Sequence, residues 1–379
     1  MVVSIRASQR LEAIPTYEPG LTTAEVLARY GLAAAIKLAS NESPYPPLDA
    51  VQAVVRGGVE SLNRYPDAYG RVLRAQLAER HHVEIDQVVL GNGSCELILL
   101  AGQALLDPAT TVVHADPSFA IYPHLAAASG AEAIAVPLED DGGHDLMTMA
   151  AHVDERTRLV IVCNPNNPTG VYRGADELER FVEMIPDDVA IVIDEAYHDF
   201  VDLAESGRMI SLARRRSNVL VTRTFSKAFG LPGLRVGYGV GGQGWIQALE
   251  KVRQPFNTNA LAQAAALAAL GERSAMAERV ASIVSERDRV QAALQERRVP
   301  FLPSRANFIL VGAPSWDHGV HESLLRLGII VRDGAPLGVP GRVRVTIGTP
   351  QENDAFLAAL DQVTQSQATA IRSEGSART

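Results

Sequence analysis

Only two cysteines, Cys95 and Cys163, occur in 379 residues. Neither has a CxxC partner or a histidine at metal-ligand spacing, which excludes a disulfide-stapled scaffold and a thiolate metal centre. Both read as buried thiols in a reducing compartment, and no metal is expected. No apolar run approaches the ~20 residues needed to span a bilayer, and the opening "MVVSIRASQRLEAIPTYEPG" lacks the apolar stretch of a secretory signal. A cytoplasmic protein is expected. Basic residues are outnumbered, 35 against 44 acidic, for a net charge of −9. Nucleic acid and membrane surfaces are therefore not expected as partners, while a local basic pocket for a small anion stays open.

What is present describes a globular chain, 47% hydrophobic and 21% charged, long enough for one large core and a smaller one. Residues 1–40 read as an N-terminal arm, in which the turn "YEPG" separates two short helices. Residues 41–258 read as a large domain. Its apolar runs "QVVLGNGS", "TTVVHADPS", "AEAIAVPL", "RLVIVCNPNNPTG", "VAIVIDEAY", "NVLVTRTFSK" and "LRVGYGVG" alternate mostly with helical segments, the pattern of an α/β fold with a mostly parallel sheet between helices. Residues 259–365 read as a smaller α+β domain with strands at "NFILVG", "GIIVRDG" and "RVRVTIGT", against which the arm can pack. Residues 366–379 are polar and read as a flexible tail.

Nearly every run ends in polar, Gly or Pro residues, and in open α/β sheets ligands bind beyond the carboxyl ends of the strands. Lys227 stands just past one such end, between Phe225 and Phe229. Partial desolvation there favours the neutral amine, which attacks aldehydes, whereas an arbitrary lysine would snorkel to water. Thr224, Ser226 and Arg235 offer two hydroxyls and a guanidinium to one phosphate, and Gly230 and Gly233 let the backbone approach it. A lysine beside a phosphate cradle suggests a phosphorylated aldehyde.

Asp194 ends the apolar "VAIVI", where a carboxylate needs a cation or donors. The protonated ring nitrogen of pyridoxal phosphate is such a cation; a helix cap or a buried ion pair would also account for it. Tyr197 and Asn167 can each donate to the phenolate oxygen of that cofactor, although "CNPNNPTG" also reads as a simple turn. In "GNGSCELI" the N–H groups of Ser94 and Cys95 open a helix and form an anion site. No GxxxxGKS/T is present, and GxGxxG is left incomplete by Glu96, so a nucleotide loop is not indicated. Phe119 can stack on a flat ring or pack in the core.

Together, "YEPG", "KLASNES", "NRYPD", "GNGSCELI", "CNPNNPTG", "DEAY", "TFSKAFGLPGLRVGY", "ANFIL" and "RVRVTIGT" resemble the fold-type I pyridoxal-phosphate aminotransferases, most closely the histidinol-phosphate aminotransferase group. The resemblance covers nearly the whole chain, in order, and implies a seven-stranded sheet in the large domain. It implies that Lys227 carries pyridoxal phosphate covalently and serves as proton carrier, that Asp194 pairs with the ring nitrogen, and that Tyr197 and Asn167 bind the phenolate oxygen. Phe119 would stack on the ring. Ser94, Cys95, Thr224, Ser226 and Arg235 would hold the phosphate. Tyr65, in "NRYP", would reach the neighbouring subunit's cofactor and substrate, which implies a homodimer with composite sites. Arg344, with Arg332, Tyr17 and Asn167, would bind the substrate. The family commonly has an acidic residue where this chain has Cys95; since backbone N–H groups would do the phosphate work, the exchange is expected to be tolerated.

The implied reaction is a transamination between an amino donor and a 2-oxo acid such as 2-oxoglutarate. Arg332 and Arg344 suit the phosphate of histidinol phosphate, the favoured donor, but would equally hold the carboxylate of phenylalanine or of a shared acceptor. A decarboxylase of phosphothreonine resembles the same group. Ligand-sensing regulators built on this fold also resemble it, but they add a basic helix-turn-helix that this chain does not show.

Overall fold

The computed structural model describes residues 20–205, 207–313, 316 and 319–376, with 366–376 as backbone alone. A two-residue strand, β1 (Ile36–Lys37), comes first. The seven apolar runs then become β2 (Val88–Gly91), β3 (Thr111–Asp116), β4 (Glu132–Pro137), β5 (Thr157–Cys163), β6 (Ala190–Asp194), β7 (Val219–Thr224) and β8 (Gly237–Gly241). They form one sheet in the order β2-β8-β7-β6-β5-β3-β4. From β7 to β4 every pairing is parallel, and β8 runs against both of its neighbours. Two reversals restore direction. β2 therefore points the same way as β7, and its last residue, Gly91, reaches the sheet edge where Thr224, Asp194 and Cys163 also end.

The central strands are apolar throughout because both faces are covered. Side chains alternate across a strand. Val160, Val162, Ile191, Ile193 and Val221 accordingly pack toward the helices Arg71–His81 and Ala175–Met184. Leu159, Ile161, Val192 and Leu220 pack toward the helices Ser94–Leu105 and Gln243–Val252.

Beyond the large sheet come β9 (Phe301–Leu302), β10 (Phe308–Gly312), β11 (Ile329–Ile330), β12 (Arg332–Asp333) and β13 (Arg342–Thr346). Four of them form an antiparallel sheet, β12-β13-β10-β9, and β11 pairs with β1. Phe308, Ile309 and Val311 share a core with Ile283 and Phe356 from two covering helices, Arg273–Glu296 and Pro350–Ser376. The alanine-rich helix Ala260–Gly271 instead sends Ala262, Ala265, Ala266 and Ala269 into the core of the large sheet, since small side chains let it lie close to the helix Asp49–Gly58. We therefore propose that the division between the two units falls at the junction of Gly271 and Glu272 rather than at residue 258. The helix Thr23–Tyr30, held at its start by a Thr22/Glu25 capping box, packs Val26 against Leu325 and Ile330 of the smaller unit. Residues 366–376, expected as tail, continue the last helix to Ser376; Ala368, Ala370, Arg372 and Glu374 are strong helix formers and extend it.

Candidate functional site

The strand ends enclose a cavity of about 230 Å³. Lys227 lies three residues beyond β7, Asp194 is the last residue of β6, and Asn167 follows β5 by four. All three line the cavity with Tyr197 and Phe119. β13 and β12 of the smaller unit close it with Arg344 and Arg332.

One wall is an anion cradle. The helix Ser94–Leu105 starts at the cavity, so the N–H groups of its first turn and its dipole face inward. Thr224 and Ser226 hydroxyls meet at 2.9 Å, and Arg235 Nη1 donates to Ser226 Oγ at 3.3 Å. Glycine is required at two places. Gly93 has φ +80°, and a Cβ there would sit 2.6 Å from the Arg235 guanidinium; a Cβ at Gly237 would collide with the backbone nitrogen of Ser94. The cradle is thus shaped for atoms other than side chains. Cys95 lines it, half-buried, with burial pushing its thiol up to about 11. It stays neutral, adding no charge to the anion wall.

Asp194 is buried, which pushes its carboxyl up to about 6 against the opposing pull of its donors. Tyr122 O–H donates to Oδ2 at 3.0 Å, while Thr222 O–H and the Ala196 N–H reach Oδ1 at 3.3 and 3.2 Å. A cation facing this carboxylate would draw its value back down and stabilise the charge. Across the cavity, desolvation and then the Arg344 charge pull the Lys227 amine down to about 8; Glu42 works against them. Its Nζ lies 5.6 Å from the centre of the Tyr197 ring and 3.4 Å from the Ser40 carbonyl oxygen. Much of the amine is neutral near pH 8 and competent as nucleophile or base.

Arg344 and Asn167 meet directly, Nη1 donating to Oδ1 at 2.5 Å, and Arg344 Nη2 also donates to the Ala39 carbonyl at 3.0 Å. The Asn167 carbonyl oxygen is thereby occupied, and its amide N–H groups are what it can offer a ligand. Arg332 stands directly across from Arg344 in the β12-β13 register. Phe119 lies edge-on to Tyr122, centroids 5.9 Å apart.

The structure thus brings twelve of the expected residues to one cavity: Ser94, Cys95, Phe119, Asn167, Asp194, Tyr197, Thr224, Ser226, Lys227, Arg235, Arg332 and Arg344. Tyr65 is not among them. It is 82% exposed and stacked on Phe256 at 4.4 Å, outside the cavity. Tyr17 lies outside the described residues. Sequence reasoning missed Tyr122 and Thr222, the donors to Asp194, and Asn41, which lines the cavity and bonds Tyr197. Thr222 and Asn41 sat in stretches already singled out by motif, and Tyr122 lies three residues after Phe119, yet only the fold turns them toward the site.

The family model for aminotransferase class I and II matches residues 33–360, most of the chain. The chain belongs to the class I and II aminotransferase family. A histidinol-phosphate aminotransferase of Geobacillus sp. (strain WCH70) is 42% identical over 354 residues, covering 93% of this chain and 97% of the relative. That of Bacillus subtilis (strain 168) is 38% identical over 359 residues, 95% of this chain and 100% of the relative. The crystal structure of histidinol-phosphate aminotransferase from Sinorhizobium meliloti in complex with pyridoxal-5'-phosphate superposes with a TM-score of 0.88 at 26% identity, covering 97% of this chain and 99% of that one. The fold is accordingly the fold-type I transferase fold that the sequence resembles, and the chain is an aminotransferase. Among the described residues no helix is long and apolar enough to cross a membrane.

Proposed function

We propose that the chain is a pyridoxal-phosphate aminotransferase that exchanges the amino group of L-histidinol phosphate with 2-oxoglutarate, giving imidazole acetol phosphate and L-glutamate, a step of histidine biosynthesis. The observation that carries the donor's identity is the near-full-length match to relatives named histidinol-phosphate aminotransferase, and the register pair Arg332 and Arg344, both lining the cavity, fits the donor's phosphate. Two like charges directly across a sheet repel, and a phosphate between them converts that repulsion into two charge-assisted contacts. Relatives named for the same activity over nearly their whole length support the reading.

The residues fit the cofactor. The cradle at Ser94, Cys95, Thr224, Ser226 and Arg235 would take its phosphate, Asp194 would pair with its ring nitrogen, and Asn167 and Tyr197 would donate to its phenolate oxygen. When bound, pyridoxal phosphate supplies an aldehyde for the donor's amine and a protonated ring that takes up the electron pair left at Cα. Lys227 would hold the cofactor at rest, and as a free amine it would serve as the base that removes the donor's Cα proton. Asp194 keeps the ring nitrogen protonated. Arg344 anchors both the substrate's anionic group and the carbonyl of Asn167, so substrate binding and cofactor alignment share one side chain.

Tyr65, exposed and outside its own cavity, fits a homodimer in which it completes the partner's site. The donor is tested by single-turnover titration of the holoenzyme with L-histidinol phosphate and, separately, L-phenylalanine, following the cofactor's visible absorbance. Conversion by histidinol phosphate at far lower concentration is expected. Preference for phenylalanine would mean that the two arginines serve a carboxylate and that the enzyme is an aromatic amino acid aminotransferase.

A further inference from the structure

The motif "KLASNES" has no assigned role in the reaction described so far. Its Asn41 is 1% exposed and has φ +53°, a left-handed conformation that asparagine tolerates better than most residues. The strip it belongs to is fastened to the smaller unit: Thr346 N–H donates to the Leu38 carbonyl at 2.9 Å, and Asn307 Nδ2 to the Asn41 carbonyl at 3.2 Å. The side chain is fastened as well. Asn41 N–H donates to Thr346 Oγ1 at 2.8 Å, and that hydroxyl passes its single proton to Asn41 Oδ1 at 3.3 Å. The amide orientation follows: its oxygen faces Thr346 and its NH₂ faces Tyr197, to whose oxygen it donates at 2.9 Å.

A phenol has one proton and two lone pairs. With Asn41 donating into one lone pair, the Tyr197 oxygen cannot give its proton to Asn41, and the proton is left for an acceptor in the cavity. We propose that Asn41 is a positioning residue for the transamination, which aims the Tyr197 O–H at the phenolate oxygen of the cofactor and is itself held in that orientation by Thr346 of the smaller unit. The proposal rests on the reading of Tyr197 as the phenolate donor. The other charged and titratable groups facing Tyr197 are Arg344 from β13, Asp194 from β6, the Cys163 thiol from β5 and Lys227. None of them belongs to the Thr346–Asn41–Tyr197 chain, and the variants below leave them unchanged.

The test is a pH titration of the visible absorbance of purified holoenzyme, which reads proton affinity at the cofactor without turnover. Asn41→Asp keeps the size and the left-handed backbone but turns the donor into an acceptor that competes for the Tyr197 proton. Asn41→Gly removes the side chain while keeping that backbone, and serves if the buried carboxylate prevents folding. Tyr197→Phe provides the reference. All three are expected to raise the titration midpoint, Tyr197→Phe and Asn41→Asp by about one pH unit, a tenfold change in proton affinity, and Asn41→Gly by less. Adding Asn41→Gly to Tyr197→Phe is expected to produce no further shift. A midpoint unmoved in both Asn41 variants while Tyr197→Phe moves it would overturn the positioning role, as would an Asn41→Gly shift that persists undiminished without the phenol. An unmoved midpoint in Tyr197→Phe would overturn the role of Tyr197 itself, and the proposal with it.

Discussion

Arg344 Nη1 donates to Asn167 Oδ1 at 2.5 Å across the cavity, linking the last strand of the smaller unit to the loop after β5 of the large one. An arginine expected only to hold substrate therefore also sets an asparagine expected to hold the cofactor. Arg344→Lys keeps the charge but has one nitrogen where the guanidinium reaches both Asn167 and Ala39. Steady-state assays are expected to show kcat/KM for the amino donor lowered by about 10- to 100-fold, the range for a lost charge-assisted hydrogen bond. The holoenzyme absorbance is also expected to change, because Asn167 loses its anchor. Arg332→Lys is expected to raise KM with the absorbance untouched.

Lys227, drawn down to about 8 by desolvation and the nearby Arg344 charge, is expected to set the pH at which the apoenzyme captures its cofactor. Mixing apoenzyme with pyridoxal phosphate between pH 6.5 and 9.5 is expected to give a capture rate that rises through about pH 8 and levels above it. The ordinary lysine value is 10.5, so between about 8 and 10.5 the unfolded chain binds more protons at this site than the folded one. Lys227 therefore makes the apoprotein more stable as pH rises through that window.

Asp194 has the opposite sign. Its value moves from 3.8 up to about 6 by burial, so over that interval the folded apoprotein binds the extra proton and this site's contribution to stability falls as pH rises. At pH 7.5 the buried charge is a burden on the apo form, worth at most about 3 kcal/mol. Asp194→Asn is expected to raise the apoenzyme melting temperature while lowering turnover by about 10²- to 10³-fold, as the ring nitrogen loses its carboxylate. A variant that melts lower and retains turnover would contradict both halves.

Cys95 and Arg235 line the same cradle with different duties. Cys95→Ser is expected to leave the cofactor dissociation constant within about threefold, because the backbone N–H groups of the helix start carry the anion. Arg235→Ala removes a charged donor and is expected to weaken binding by about 10- to 100-fold, measured by equilibrium dialysis.

Tyr65 gives the proposed composite site its own test. Lys227→Ala and Tyr65→Ala subunits are each expected to be weakly active alone. Refolded together, half of the dimers are mixed and carry one intact site each, so activity is expected to recover to about a quarter of wild type. No recovery, or a fully active monomer in sedimentation, would remove the composite site.

The large sheet was legible because β5, β6 and β7 are covered on both faces and read as unbroken apolar runs, each ending in residues too polar for a core. Lys227 and Asp194 stood out for that reason. Less legible was anything set by pairing between distant segments. The Arg332 and Arg344 register depends on a two-residue strand that no periodicity reveals, and Asn41 meets Tyr197 only because Thr346, 305 residues away, holds it. The alanines of Ala260–Gly271 look like the start of a new unit by composition, yet their small size is what lets that helix join the older core. Tyr122 carried a strong aromatic signal that fits core packing equally well, and its hydroxyl partner, Asp194, lies 72 residues on.

The most direct measurement is peptide mass spectrometry of holoenzyme treated with borohydride, which fixes the cofactor to the lysine that carries it. The account predicts the added mass on the peptide containing Lys227 and its complete loss in Lys227→Ala. Cofactor found on Lys37, Lys251 or no lysine at all would contradict the assignment of the site.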